Sequence, residues 1–158
     1  MTTVWTFTNQ RELNKSQFID YVERKVFRTI RKNQSLPKNK TITLKKNDSI
    51  NTAVLKKIIE TKFEVKFNNK PNISSDNLSQ IAEDTFKEIL EGKFNKQTPK
   101  NAPLSQLSDK ELELYAKLTN VKGTKRKQDK KIQNLFEKFL KKNQDLELNI
   151  IKAIDQIK

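Results

Sequence analysis

Trp5 and Phe7 alternate with Thr6 and Thr8 near the start of the chain, so residues 4–8 predict a short strand followed by a turn through Asn9 to Leu13. The pattern then becomes helical. Asn14 is placed to cap a helix with Gln17 three residues on, and Phe18, Val22, Val26 and Ile30 recur every fourth position as one core-facing stripe. Pro37 ends this element. A β-favouring run, Thr41 to Leu44, leads through a polar turn into a helix with Ile50, Val54 and Ile58 spaced by four. Phe63, Val65 and Phe67 then alternate with Glu64 and Lys66, which completes a strand–helix–strand unit, and Pro71 to Ser74 is a candidate third strand.

Ser75 or Asp76 is placed to cap the next helix, in which Leu78, Ile81, Ala82, Phe86 and Ile89 share a face and Gly92 supplies the stop. Lys93 to Pro103 reads as a polar linker. Ser108 and Glu111 have capping-box spacing ahead of Leu112, Tyr115, Ala116 and Leu118, and Gly123 closes the turn that follows. Two amphipathic stretches finish the chain, one with Ile132, Leu135, Phe136, Phe139 and Leu140, the other with Ile150, Ile151, Ile154 and Ile157. The expected fold class is α/β and helix-dominated: a small, mainly parallel sheet of two to four strands flanked by about six helices. With 158 residues, one domain is expected, made of an N-terminal segment 1–15, an α/β core 16–92 and a C-terminal helical part 104–158.

Composition narrows the chemistry. Thirty-three Lys and Arg against 19 Asp and Glu leave a net charge of +14, a field that draws polyanions and nucleic acid above all. The charge is +4 over 1–36, +6 over 37–70, −2 over 71–99 and +6 over 100–158, so basicity gathers towards both ends. Cysteine and histidine are both absent. That excludes thiolate-held metals and clusters, disulfides, thiol nucleophiles and imidazole acid–base catalysis. No apolar run approaches the ~20 residues of a membrane-spanning helix, and the N-terminus has no secretory pattern, so a soluble cytoplasmic protein without a membrane partner is expected.

Three cationic groups are candidate RNA contacts. Arg24, Lys25, Arg28, Arg31 and Lys32 form a strip on the first helix, clear of its apolar stripe, and arginine favours phosphate forks over simple solvation. Lys45 and Lys46 lie in the turn before the second helix, either as an ordinary solvated turn or as phosphate contacts. Lys122, Lys125, Arg126, Lys127, Lys130 and Lys131 place six cations within ten residues, either as a solubilising loop or as a backbone-binding patch. Asp48 and Ser49 read as N-caps rather than metal ligands. Trp5, Tyr21 and Tyr115 read as packing residues rather than base-stacking platforms. No catalytic residue, metal ligand or cofactor is assigned.

The blocks ERKVFRTIRK at 23–32, TITLKKNDSINTAVLKK at 41–57, SSDNLSQIAEDTFKEILEG at 74–92 and APLSQLSDKELELYAKLTNVKG at 102–123 occur in this order. In that order they resemble the PP-loop ATP pyrophosphatases that thiolate tRNA, the archaeal two-thiouridine synthetase and cytosolic tRNA-thiolation group. That family carries a basic helix of the form ERKVRRTI, a strand followed by SGGKDS, a TGHNLDDEAQT segment heading a helix, and a PL..LSEKE..LYA segment. The tail FEKFLKKNQDLELNIIKAIDQIK is similar to the family's last helices, so the likeness spans most of residues 16–158.

The departures fall on the chemistry. Where the family has SGGKDS, this chain has Leu44, Lys45, Lys46, Asn47, Asp48 and Ser49, with long side chains in place of the glycines whose backbone amides approach phosphate. Asn77, Leu78 and Ala82 match the second motif, but Ser79, Gln80 and Ile81 replace its acidic triplet. Cluster and zinc ligands have no counterpart, so the first 15 residues would be a zinc-module relic without ligands. Several middle β/α elements of the family are absent between Phe67 and Ser74, so the resemblance implies a reduced PP-loop-like sheet. The expectation is a non-catalytic RNA-binding pseudoenzyme associated with tRNA or with rRNA in a ribosome or other ribonucleoprotein. The alternatives are an accessory subunit partnered with an intact PP-loop homologue and a residual ATP-dependent tRNA-modifying enzyme.

Overall fold

The structure, a computed structural model, describes residues 2–32, 41–92, 101–127, 129–140 and 146–157. It opens with a hairpin of β1 (Thr3–Thr6) and β2 (Glu12–Asn14), antiparallel, with an irregularity between Thr3 and Trp5. Sequence reasoning expected only a turn at β2, because three residues are too few to display alternation. Asn14 then caps α1 (Lys15–Lys32) as its spacing predicts: its side-chain oxygen accepts from the Gln17 N–H at 2.9 Å while Gln17 Oε1 accepts from the Asn14 N–H at 3.0 Å. The stripe Phe18, Val22, Val26 and Ile30 is buried throughout. Each such side chain contributes roughly 1.5–3 kcal/mol by leaving water.

β3 (Thr41–Leu44), α2 (Ile50–Ile59) and β4 (Glu64–Phe67) form the expected strand–helix–strand unit. β3 and β4 pair in parallel with Ile42 opposite Val65 and Leu44 opposite Phe67. The four strands therefore divide into two separate two-stranded sheets, one antiparallel and one parallel. The candidate third strand at 71–74 is instead a bend. Asn72 holds it to β3 through side-chain and backbone bonds, with Asn72 Oδ1 accepting from the Thr43 N–H at 2.9 Å and Thr43 Oγ1 accepting from the Asn72 N–H at 2.8 Å, and Ile73 enters the core.

Asn77, rather than Ser75 or Asp76, caps α3 (Leu78–Leu90), and Gly92 follows it with φ of 73°. Ala102, near the end of the expected polar linker, is fully buried, as are Leu104 and Leu107 just beyond it. Ser108 and Glu111 form the predicted capping box at the head of α4 (Asp109–Thr119), whose C-terminus ends on Asn120 in the left-handed region at φ 57°. α5 (Lys130–Leu140) and α6 (Leu146–Ile157) complete the chain. Pro37, linker residues 93–100 and the side chains of Phe136, Phe139, Leu140, Ile154 and Ile157 lie outside what is described.

Two apolar clusters result. One gathers α1, α2, β3, the 104–107 segment and α4; the other joins Leu78, Ile81 and Ala82 of α3 to Ala102, Ile132 and Ile151. The Trp5 ring lies tilted against Phe18 at 5.4 Å and Phe7 meets Tyr21 edge-on at 5.1 Å, so the hairpin is packed on α1 by its aromatics. Trp5 Nε1 is buried there without an acceptor among the described residues. The Tyr21 hydroxyl donates to Glu111 at 2.6 Å and the Tyr115 hydroxyl to Glu23 at 2.9 Å, two reciprocal ties between α1 and α4. Burial, reinforced by the carboxylate it serves, pushes the Tyr115 hydroxyl pKa well above its usual value. Trp5, Tyr21 and Tyr115 are packing residues in this arrangement. Among the described residues no helix is long and apolar enough to cross a membrane.

Candidate nucleic-acid interface

The loop between β3 and α2 presents Lys45, Lys46, Asn47 and Asp48 to solvent. Asn47 Oδ1 accepts from the Ser49 N–H at 3.0 Å, and Ser49, in extended conformation, caps α2 by accepting from the Asn51 N–H at 3.1 Å. A helix N-terminus ordinarily offers free amides to an anion. Here the segment after α4 takes one of them: the Ile50 N–H donates to the Thr124 carbonyl at 2.9 Å. The Thr124 N–H donates to the Asp48 carbonyl at 2.7 Å, and its hydroxyl donates to the Asp48 carboxylate at 3.0 Å.

Gly123 makes this approach possible. A Cβ on it would stand 2.6 Å from Ile50 Cα and 2.7 Å from Ile50 N, inside any real contact distance. The turn itself is closed by Asn120, so the sequence-based role for Gly123 is corrected from turn closure to close backbone approach. A lone glycine after a helix cannot show which backbone it will touch.

Two clefts flank the loop at the carboxyl ends of β3 and β4, where open α/β sheets bind ligands. One, of about 480 Å³, runs between Leu44, Lys45 and Asn47 and the 71–76 bend. The other, of about 370 Å³, lies between α2, Phe67 and the 122–124 segment. Lys122 is therefore brought to the same loop as Lys45 and Lys46. On α1, Arg28, Arg31 and Lys32 are exposed and outside the ion pairs of the described residues, while Arg24 pairs with Asp20 at 2.9 Å. Lys25 is half-buried: it donates to the Gln106 carbonyl at 3.2 Å and sits 4.9 Å from the Tyr21 ring centroid, which ties α1 to the 102–107 segment.

The Lys122–Lys131 run divides into two kinds of cation. Lys122, Lys127, Lys130 and Lys131 are exposed, and Lys125 is exposed beside Glu113 at 3.7 Å. Arg126 is different, with only 9% of its side chain exposed. Its Nε is 2.9 Å from both Asp109 carboxylate oxygens, and its Nη1 donates to Glu83 at 3.1 Å. Its Nη2 is 2.8 Å from Asp109 as an ion pair without a well-aligned hydrogen bond. Arg126 is thus committed to carboxylates within the fold, unlike the exposed cations around it. It anchors the basic segment to α3 and α4, a role hidden in the sequence because its carboxylate partners lie 17 and 43 residues away.

The positions where the resemblance would put an acidic triplet feed the same cluster. Ser79 Oγ accepts from the Asp109 N–H at 2.9 Å and donates to Glu147 at 2.8 Å. Asn77 Nδ2 donates to Asp109 at 2.8 Å, and the buried Glu83 accepts from the Asp129 N–H at 3.0 Å. Burial pushes the Glu147 carboxyl up to about 7; the Ser79 hydroxyl opposes the shift and nearby Asp109 adds to it. Lys87, 3.1 Å from Asp129, holds that carboxyl below its usual range, helped by the Ile132 N–H, and is itself raised by the same bond.

The fold has a solved counterpart. The chain superposes on the U34-tRNA thiolase NcsA from Methanococcus maripaludis, determined with its [4Fe-4S] cluster, at a TM-score of 0.75 over 98% of this chain and 84% of that chain, with 12% identity. No family model and no curated protein matches the sequence. The α/β, helix-rich fold resembles that of the PP-loop thiolase. The likeness at this identity concerns the fold, and this chain's own residues decide which groups it can hold. A cysteine-ligated cluster does not fit a chain without cysteine, and no set of three or more acidic ligands converges among the described residues. A triphosphate cradle does not fit a loop that carries Lys45 and Lys46, has no glycine and has the Ile50 amide already engaged.

Proposed function

We propose that this protein binds structured RNA without modifying it, as a cytoplasmic tRNA- or ribosome-associated component descended from a tRNA-thiolating enzyme. The observation that carries this reading is the closure of the α2 N-terminus by Thr124 at a loop that holds Lys45 and Lys46 and no glycine. The same loop that is poorly built to cradle a nucleotide's phosphates keeps exposed cations beside it. The fold shared with a U34-tRNA thiolase supports a tRNA-related origin.

Binding runs through phosphate. Arg28, Arg31 and Lys32 on α1, Lys45 and Lys46 in the loop, and Lys122, Lys127, Lys130 and Lys131 beyond α4 supply charge without base-specific geometry. The test is affinity for tRNA between about 50 and about 200 mM salt. Neutralising about five phosphates weakens binding roughly 500-fold over that range, and a change below about threefold refutes the reading. Saturable micromolar binding of ATP with magnesium in calorimetry would overturn its non-catalytic half and favour a residual enzyme.

A second reading, an accessory subunit of an active tRNA-thiolation enzyme, draws on β4. Among the described residues β4 pairs only with β3, so its other edge is open to a partner strand. Recovery of the protein from its own cells with an intact PP-loop homologue, rather than with tRNA or ribosomes, would favour this reading.

A further inference from the structure

Phe67 ends β4 in register with Leu44, and parallel register partners point to the same side of the sheet. Leu44 is 1% exposed; Phe67 is 45% exposed. Its ring is a wall of the 370 Å³ groove between α2 and the 122–124 segment. The same groove is lined by Lys56 and Lys122, by the side chains of Asn47, Ser49 and Thr52, and by Asp48, whose carboxylate accepts from the Thr124 hydroxyl at 3.0 Å. An exposed aromatic flanked by cations and small polar groups is the composition of a site for unpaired nucleotides: the ring stacks on a base, and lysines meet the adjoining phosphates.

What the groove lacks is equally selective. The Ile50 and Asn51 amides are engaged by Thr124 and Ser49, so two of the backbone donors that would hold a buried phosphate are spent. Its positive charge lies on long lysine side chains. Lys56 has only a loose pair with Glu60 at 3.7 Å, both about half exposed, and a phosphate can displace such a pair. A flat, neutral ring between flexible cations therefore matches the groove better than a triphosphate. We infer that the groove receives one unpaired base of a bound RNA strand, stacked on Phe67, with Lys56 and Lys122 on the flanking phosphates. This rests on the RNA-binding reading above and adds to it a distinction between single-stranded and duplex RNA.

The test uses the full chain, as wild type, Phe67→Ala and Phe67→Trp, against a short unstructured RNA and a duplex of the same length over a salt series. Phe67→Ala should weaken single-strand binding about 5- to 150-fold, the range for loss of one base–aromatic stack, with the salt slope and duplex affinity unchanged. Phe67→Trp should keep or raise single-strand affinity, and its indole emission should be quenched on binding. Thermal melting of each variant checks that this exposed position has not cost the fold. Equal single-strand affinity of wild type and Phe67→Ala, with both RNAs still bound in a salt-dependent way, overturns the stacking site and leaves the RNA-binding reading intact. Failure of wild type to bind either RNA overturns that reading as well. Displacement of the RNA by micromolar ATP with magnesium overturns the assignment in favour of a mononucleotide site.

Discussion

Glu147→Gln should remove a pH dependence that Glu147 imposes on stability. Glu147 is buried at the start of α6, with the Ser79 hydroxyl donating to it at 2.8 Å and the charges of Asp109, Arg126 and Glu111 nearby. Burial raises its pKa from 4.5 to about 7 in the fold. As pH rises, the unfolded chain releases this proton near 4.5 while the folded chain keeps it until about 7. The unfolded state therefore binds fewer protons over that window, and stability falls as pH rises through it. At 1.36 kcal/mol per pKa unit the loss is about 3 kcal/mol by pH ~7.5, beyond which it levels. A glutamine keeps an oxygen for the Ser79 hydroxyl and never ionises. Urea unfolding of both proteins from pH ~4.5 to ~8 should show the variant gaining on the wild type with rising pH, by about 3 kcal/mol in all. A difference that stays constant across this range would mean that folded Glu147 is already ionised at the acid end, and the argument from burial would be wrong.

Gly123→Ala forces its new Cβ against the Ile50 backbone, so the Ile50–Thr124 and Thr124–Asp48 bonds must part. The loss should be about 2 kcal/mol or more, read as a lower Tm, with hydrogen exchange at the Ile50 amide accelerated more than in the α1 stripe. Ser108→Ala removes the reciprocal cap of α4 and should cost about 1 kcal/mol in chemical unfolding, with Glu111 still bound to Tyr21. Arg28→Glu with Arg31→Glu changes two exposed, unpaired cations and should alter stability by less than about 1 kcal/mol. In tRNA titrations the same pair should weaken binding and reduce the salt slope by roughly two, and an unchanged slope would remove α1 from the interface.

The elements that repeat a strong local signal were legible in the sequence. The four-residue stripe of α1, the separate segments β3, α2 and β4, and the Ser108 capping box all form as their spacing predicts, because each needs only neighbours within a turn or two. What escaped depends on partners far along the chain. β2 is too short to show a period, and 71–74 is held by Asn72 instead of a ladder. Ala102, Leu104 and Leu107 are core residues in a stretch whose ends look like linker. At the candidate interface, charge marked the cations but could not say that Arg126 is committed to Asp109 and Glu83. Nor could it say that Gly123 serves the start of α2, or that Phe67 would stand exposed at the end of its strand.

The contact between Thr124 and the head of α2 joins segments 76 residues apart. Such a closure brings together α2 and the turn after Asn120, and the length of chain between them makes it entropically costly. It also works as a removable stopper. A chain cut after residue 119 would lack the carbonyl that occupies the Ile50 amide, leaving a helix N-terminus beside Lys45 and Lys46 open to anions. The head of α2 is in this sense a covered one, and the cover is supplied by the same short segment that carries the basic charge.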